Sequence, residues 1–299
     1  MMYKHLALTA LAVAAFGGAM QAAKAADDVP AQSVDAALHA RLPEEIRKRG
    51  VLTAVNNSSF PPYEIVTDDR QLTGASAELA EALGQVLGVK IRHETINGLS
   101  SLLSGIKAGR YQFAMGPIGD FPDRQKANDF VDYVREYVVF AVLAGNPKHI
   151  ATLEDTCGKR IAVMAGGSAE KVIRQQSQKC IIAGKQAVEV QSFSDQATST
   201  LAVRSNRSDA FFSSLAPLTY YVGKTNGALV LTFKSDKNGY GDLYQGAVVP
   251  KGSPLGPLFR DGLQKLFDNG TYAKIMKKWG LEGNKLRAPG VNLAKDDVK

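Results

Sequence analysis

The feature that most restricts the fold is a repeated change of hydrophobic period, punctuated by glycine, from residue 50 onward. After Gly50, Val51-Leu52-Thr53-Ala54-Val55 reads as a strand. After Gly74, Leu79, Leu83, Val86 and Leu87 recur at helical spacing over Ala75 to Leu87. Gly88 stops that helix, and Val89 to His93 alternates as a second strand. Leu99, Leu102, Leu103 and Ile106 mark another helix, closed by Gly109; Phe113-Ala114-Met115 is a short buried strand running into Gly116-Pro117-Ile118-Gly119. Alternation of this kind predicts an α/β fold, a parallel sheet with helices on its faces. Ligands of such sheets sit beyond the carboxyl ends of the strands. That draws the loops 56–63, 116–124 and 165–170 toward one crevice.

A second α/β unit begins after Tyr137. Val138 to Ala144 and Arg160 to Met164 read as strands, followed by a helix over Glu170 to Gln178. Val188 to Val190 and Ala210 to Phe212 are further strands, with a helix from about Asp195 to Arg204 between them. Gln245 to Val249 is the last strand, and a helical region ends near Trp279. A chain of 299 residues can bury two cores of ordinary domain size.

The ends differ from this pattern. Lys4 and His5 precede an uncharged apolar run, Leu6 to Ala19, and Ala23-Lys24-Ala25 offers the small-x-small pattern of a signal-peptidase site. We expect a signal peptide over 1–25, a loosely held leader over 26–42 and export to an oxidising compartment. No later stretch has the roughly eighteen apolar residues of a membrane helix. Residues 283–299 are polar, contain a Pro-Gly pair and are expected to fray. Cleavage leaves 34 Lys and Arg against 29 Asp and Glu, a net charge of +5 spread along the chain. That excess forms no nucleic-acid stripe. Cys157 and Cys180, an even pair in an exported chain, are most simply a structural disulfide. A metal site would need more ligands, and His39, His93 and His149 lie near neither cysteine, so neither metal nor cofactor is expected.

Arg124 follows Phe121-Pro122-Asp123 beside a Gly-rich strand end, where it can grip a carboxylate through two parallel hydrogen bonds. It reads as well as a surface arginine paired with Asp120 or Asp123. Gly166-Gly167-Ser168 lies between a strand and a helix; small residues admit a ligand to the backbone, and a serine adds a hydroxyl to free amides. An ordinary helix cap is the alternative. Phe60 and Tyr63 flank Pro61-Pro62, a pair that excludes helix and central strand. Either ring could pack on a ligand or close the edge of the core. Ser213-Ser214 stands at another strand end. No HExxH, GxSxG or Cys/His catalytic pairing occurs.

Taken in order, these stretches resemble the polar-amino-acid-binding proteins of ABC importers, the bacterial extracellular solute-binding family 3. Gly50-Val51-Leu52 with Phe60-Pro61-Pro62-Tyr63-Glu64 looks like the family's opening strand and aromatic-Pro-aromatic loop. Leu72-Thr73-Gly74 with Glu78-Leu79-Ala80 resembles its Gly-led first helix. Gly109-Arg110-Tyr111 and Pro122-Asp123-Arg124 match the run ending in the carboxylate-binding arginine. Leu153 to Cys157, Gly158 to Val163 and Gly166 to Ser168 resemble the opening of the second lobe. Gly270-Thr271-Tyr272, Ile275 and Lys278-Trp279-Gly280 close the chain in the family manner. The resemblance spans about Arg49 to Leu281, and one branch of the family carries a disulfide resembling the pair Cys157 and Cys180.

The resemblance implies a two-lobed α/β protein of the type II periplasmic binding protein kind. Lobe 1 would comprise 43–135 and 243–282 and lobe 2 would comprise 137–241, with crossovers near Arg135–Tyr137 and Gly239–Asp242. It implies a monomer in the periplasm, an amino acid or related carboxylate in the cleft, and an ABC permease in the inner membrane as partner. Neither nucleic acid nor enzymatic activity is implied. Carried over by position, Arg124 binds the α-carboxylate, with the Gly119 amide, Gly167 and Ser168 around it. The Pro117 carbonyl faces the α-ammonium, Phe60 stacks on the side chain, and Asn57 and Leu99 line the specificity end. Ser214 departs from the pattern, standing where the family usually places an Asp that pairs with the ammonium. Gly116 and Pro117 replace residues that often supply hydroxyls. Asn57 stands where receptors for basic amino acids can carry an acid, which disfavours lysine, arginine and histidine. The rival on this scaffold is a cyclohexadienyl (prephenate or arogenate) dehydratase-like enzyme, with Glu170 or Asp120 as its proton donor.

Overall fold

The computed structural model describes residues 30–57, 59–67, 69–233 and 238–295. The expected signal peptide lies outside them. Two large sheets carry the architecture. The first has six strands in the order Lys285–Val291, Asn128–Glu136, Leu243–Pro250, Phe113–Gly119, Val51–Asn56 and Lys90–Thr95. The second has five, in the order Glu189–Phe193, Arg160–Met164, Ala210–Ser214, Val138–Leu143 and Leu229–Thr232. A small third sheet joins Ser59–Phe60, Glu64–Val66 and Leu72–Thr73.

The glycine-punctuated alternation yields the parallel part of the first sheet, where Val51–Asn56 pairs in parallel with Lys90–Thr95 and with Phe113–Gly119. The helix Ala75–Leu87 covers it, burying Leu79, Leu83 and Leu87 completely. It packs on the helix Leu255–Asp268, whose Gly262 leaves room for Leu83. The sheet is not wholly parallel, in contrast to expectation. Leu243–Pro250 runs antiparallel to both Phe113–Gly119 and Asn128–Glu136, because the chain re-enters this lobe from the other one. The second sheet is likewise mixed: Arg160–Met164 is parallel to its neighbours, while Val138–Leu143 is antiparallel to both of its own.

The chain crosses between sheets at Glu136 to Val138 and returns between Thr232 and Leu243. Arg135 ties the two crossings, donating to Asp242 at 3.3 Å and to the Tyr137 hydroxyl at 2.8 Å. Cys157 and Cys180 form a disulfide that fastens the start of Arg160–Met164 to the helix Ser168–Ile182. The described parts of the expected leader and tail, 30–42 and 283–295, are more ordered than their composition suggested. Ala36–Ala40 is helical, its first turn capped by Asp35, with Leu38 buried. The tail adds the edge strand Lys285–Val291, and the amides of Leu293 and Ala294 then donate to Asp132 and Asp120 at 3.0 and 2.9 Å. These segments are fixed by side-chain acceptors on distant elements, which a hydrophobic pattern does not report. Among the described residues no helix is long and apolar enough to cross a membrane.

Candidate functional site

The cleft between the two large sheets is lined from both sides. Asn57, Phe60, Glu64, Leu99, Pro117, Gly119 and Arg124 come from the first lobe. Gly167, Ser168, Gln196 and Ser214 come from the second, and Tyr240 from the returning crossover. All nine residues singled out from the sequence, Asn57, Phe60, Leu99, Pro117, Gly119, Arg124, Gly167, Ser168 and Ser214, therefore border one space.

Arg124 lies on the short helix Pro122–Gln125, directly after the strand Phe113–Gly119. Its Nη1 donates to the Gly119 carbonyl at 2.9 Å and its Nη2 to the Gly166 carbonyl of the opposite lobe at 3.1 Å. The Phe121 ring lies 5.1 Å beneath the guanidinium. Burial draws its pKa below the ordinary guanidinium value, against the charges of Asp123, Tyr240 and Asp120. The surface-pair alternative does not apply. Asp123 pairs with Lys171 of the second lobe at 3.1 Å, and Asp120 accepts from Gln125 and the Ala294 amide. Among the described residues this half-buried guanidinium donates to two carbonyls and meets no carboxylate, which leaves it able to pair with an anion.

Opposite Arg124, the chain turns through Gly166 and Gly167 into the helix Ser168–Ile182, whose first residues, Ser168 and Ala169, border the cleft and whose N-terminus carries no side-chain cap. Gly166 has φ +71°, and a side chain there would run into Ser100 across the gap. At Gly116, φ is +80° and an added Cβ would stand 2.5 Å from the Gly246 carbonyl, so backbone geometry explains the absence of a hydroxyl residue there.

The two aromatics of the Pro-Pro loop divide their roles. Phe60 borders the cleft, whereas Tyr63 is fully buried and donates to Glu136 at 2.6 Å. Sequence reasoning passed over Glu64, Gln196, Tyr240 and Gln245, all of which line the cleft. Gln196 accepts from the Ser213 hydroxyl at 3.1 Å. For Glu64 a signal was present: the Pro-Pro turn makes a hairpin that sets Glu64 directly opposite Phe60, and opposed residues share a face. Burial pushes its carboxyl up to about 8.

The acids proposed for the rival enzyme are engaged elsewhere, and neither borders the cleft. Burial favours a raised Glu170 pKa, but bonds from Ser192, Arg174 and the Gly166 amide hold it below the usual carboxylate range. Asp120 is 1% exposed and clasps the C-terminal segment; burial raises its pKa.

Two α/β lobes on two crossovers, with an arginine facing a helix N-terminus across the gap, define a two-lobed solute-binding protein. Residues 52–282 match the bacterial extracellular solute-binding proteins, family 3, and the chain belongs to that family. It is 28% identical to the arginine-binding protein ArgT of Corynebacterium glutamicum, over 82% of this chain and 79% of that one. It is 25% identical to the L-cystine-binding protein TcyJ of Escherichia coli, over 79% and 84%. Among solved structures, an ancestral arginine-binding protein bound to arginine matches with TM-score 0.69 and 26% identity, covering 77% of this chain and 98% of that one. An ancestral amino acid-binding protein described as a precursor of cyclohexadienyl dehydratase matches in fold, with TM-score 0.67 and 24% identity over 79% and 98%.

Proposed function

We propose that this chain is the periplasmic substrate-binding component of an ABC importer, exported by its signal peptide and acting as a monomer. It holds an amino acid or related small carboxylate between its lobes and presents the closed form to a permease in the inner membrane. The observation that carries this reading is Arg124, half-buried at the cleft and bridging to Gly166 of the other lobe. A ligand carboxylate is placed against that guanidinium, with Gly119, Gly167 and Ser168 around it. Pro117 lies toward the ammonium, Phe60 along the side chain, and Asn57, Leu99 and Ser214 complete the lining. Family members named for arginine and for cystine support an α-amino acid, the chemistry those two ligands share. Binding rather than catalysis is assigned because Glu170 and Asp120 are committed to structural bonds.

A thermal-shift screen over the L-amino acids and small carboxylates tests this. A ligand at a hundredfold excess over its Kd adds about 2.7 kcal/mol to stability. A screen in which no amino acid or carboxylate raises Tm contradicts the reading.

A further inference from the structure

We infer that the C-terminal segment 290–294 is a positioning strap for the binding site: it clamps Asp120 and Gln125, and through them fixes the turn that carries Arg124. The inference rests on the reading of Arg124 as the residue that meets the ligand carboxylate. Pro122–Gln125 is a single helical turn, and one turn alone is unstable because its few hydrogen bonds do not offset the backbone entropy lost. Its N-cap residue, Phe121, adds no side-chain bond. The bonds of Arg124 to Gly119 and Gly166 lie at the far end of a long side chain, and the second belongs to the closed arrangement of the lobes. The base of that side chain therefore needs another support.

The support comes from the residues on either side of the arginine. Asp120, 1% exposed, precedes the turn, and Gln125 ends it. The Gln125 Nε2 donates to Asp120 Oδ1 at 2.7 Å and to the Ala294 carbonyl at 2.9 Å. The Ala294 amide donates to Asp120 Oδ2 at 2.9 Å. Three residues thus close a ring of hydrogen bonds that grips both ends of the stretch from Phe121 to Arg124. Neither Asp120 nor Gln125 lines the cleft, so their effect on a ligand passes through the arginine.

The strap is itself held along its length. Gly290 and Val291 pair with Asp132 and Val131 of the strand Asn128–Glu136. The Asn292 side chain accepts from the Phe130 amide at 2.9 Å and donates to Asp129 at 2.8 Å. The Leu293 amide then donates to Asp132 at 3.0 Å, and Gly290 leaves room for the Leu293 side chain, into which an added Cβ would run. These contacts bring the Ala294 peptide to Asp120 and Gln125 as part of a fixed edge. The match to the family ends at residue 282, so the strap is an addition outside the matched part of the chain.

The test is calorimetry on the mature protein, with L-arginine, L-cystine and the other common L-amino acids as probes and the tightest of them used throughout. Gln125→Ala removes both side-chain donations of the ring and leaves the cleft lining intact. It is expected to weaken binding about tenfold while shifting the melting transition by no more than about 4 °C. Positioning has a signature that general stability lacks: in an Arg124→Ala background, Gln125→Ala should weaken binding less than about twofold, because nothing is left to position. Ending the chain after Gly290 should reproduce the loss from the other side of the ring, and joining it to Gln125→Ala should add little. Melting transitions check the fold of each variant; if the shortened chain does not fold, the two Gln125→Ala measurements decide. Wild-type affinity in Gln125→Ala, or an equal loss with and without Arg124, overturns the inference and leaves the proposed function standing. Unchanged affinity in Arg124→Ala overturns it together with the reading of Arg124, and a wild type that binds no amino acid removes the proposed function as well.

Discussion

Arg124 of the first lobe donates to the carbonyl of Gly166 in the second at 3.1 Å, so the cationic residue of the cleft also bridges its walls. The nearby pair Asp123 and Lys171 crosses the same gap at 3.1 Å. The lobes therefore stand closed in this structure, with the guanidinium that lines the cleft serving as part of the closure. Hinge motion about the crossovers at 136–138 and 232–243 would separate all of these contacts together.

Closure depends on a missing side chain. Gly166→Ala places a methyl group against Ser100 of the other lobe and forces alanine to φ +71°. The backbone penalty is about 1 kcal/mol and should appear in urea unfolding of the empty protein. Ligand affinity should fall further, by at least tenfold, since only the closed form meets Ser100. Pairing it with Ser100→Gly should restore most of the affinity in calorimetry. Failure of that rescue would place the defect elsewhere.

The exposed pair is expected to matter much less. Lys171→Ala should weaken ligand binding by less than about fivefold, in line with ~0.2–1 kcal/mol for solvated ion pairs. The difference from wild type should vanish in 0.5 M salt as screening grows. A loss above thirtyfold at any salt concentration would mean that Lys171 touches the ligand.

Cys157 and Cys180 close a loop with a sequence separation of 23. Chain entropy puts the contribution of such a link at about 3 kcal/mol. Cys157→Ser with Cys180→Ser should lower the urea midpoint accordingly and leave ligand affinity nearly unchanged, because neither cysteine lines the cleft. An equal loss of affinity would indicate that the helix Ser168–Ile182 needs the link to hold its N-terminus in place.

The C-terminal segment is tied to acids that prefer to be neutral. Burial, then the charge of Asp120, pushes Asp132 up to about 8; burial sets Glu136 to about 7. A carboxyl raised in the folded state contributes stability that is complete below its unfolded pKa, about 4, and is lost as pH rises through the folded value. Stability of the empty protein should therefore decline between pH 5 and 9. Asp132→Asn should flatten that decline, as read by urea unfolding at each pH. A wild-type stability that climbs from pH 5 to 9 would contradict this account.

The sequence revealed those elements whose hydrophobic period contrasts with their neighbours. Val51–Asn56 and Ala75–Leu87 are legible because one alternates and the other repeats at helical spacing between glycines. Asn128–Glu136 was missed because Phe130, Val131, Tyr133 and Val134 are buried on both faces, so no alternation marks it. The edge strand Lys285–Val291 was missed for the opposite reason, being polar and fixed by Asn128–Glu136 and the acids beside it. In the site, residues next to glycine or proline were found, since those residues announce loops at strand ends. Gln196 and Gln245 lie inside a regular helix and strand, and only the meeting of two lobes turns them toward a common space. Glu64 stood within a recognised motif, but its place at the cleft needed the hairpin register to become visible.

The central claim is that a ligand carboxylate is clasped by Arg124 between the lobes. It is tested most directly by calorimetric titration of Arg124→Ala with an amino acid that the wild type binds. Removing one partner of a desolvated charge pair costs about 2–5 kcal/mol, so affinity should fall at least thirtyfold, and Arg124→Lys should recover only part of it. Equal affinity of Arg124→Ala and wild type would contradict the account.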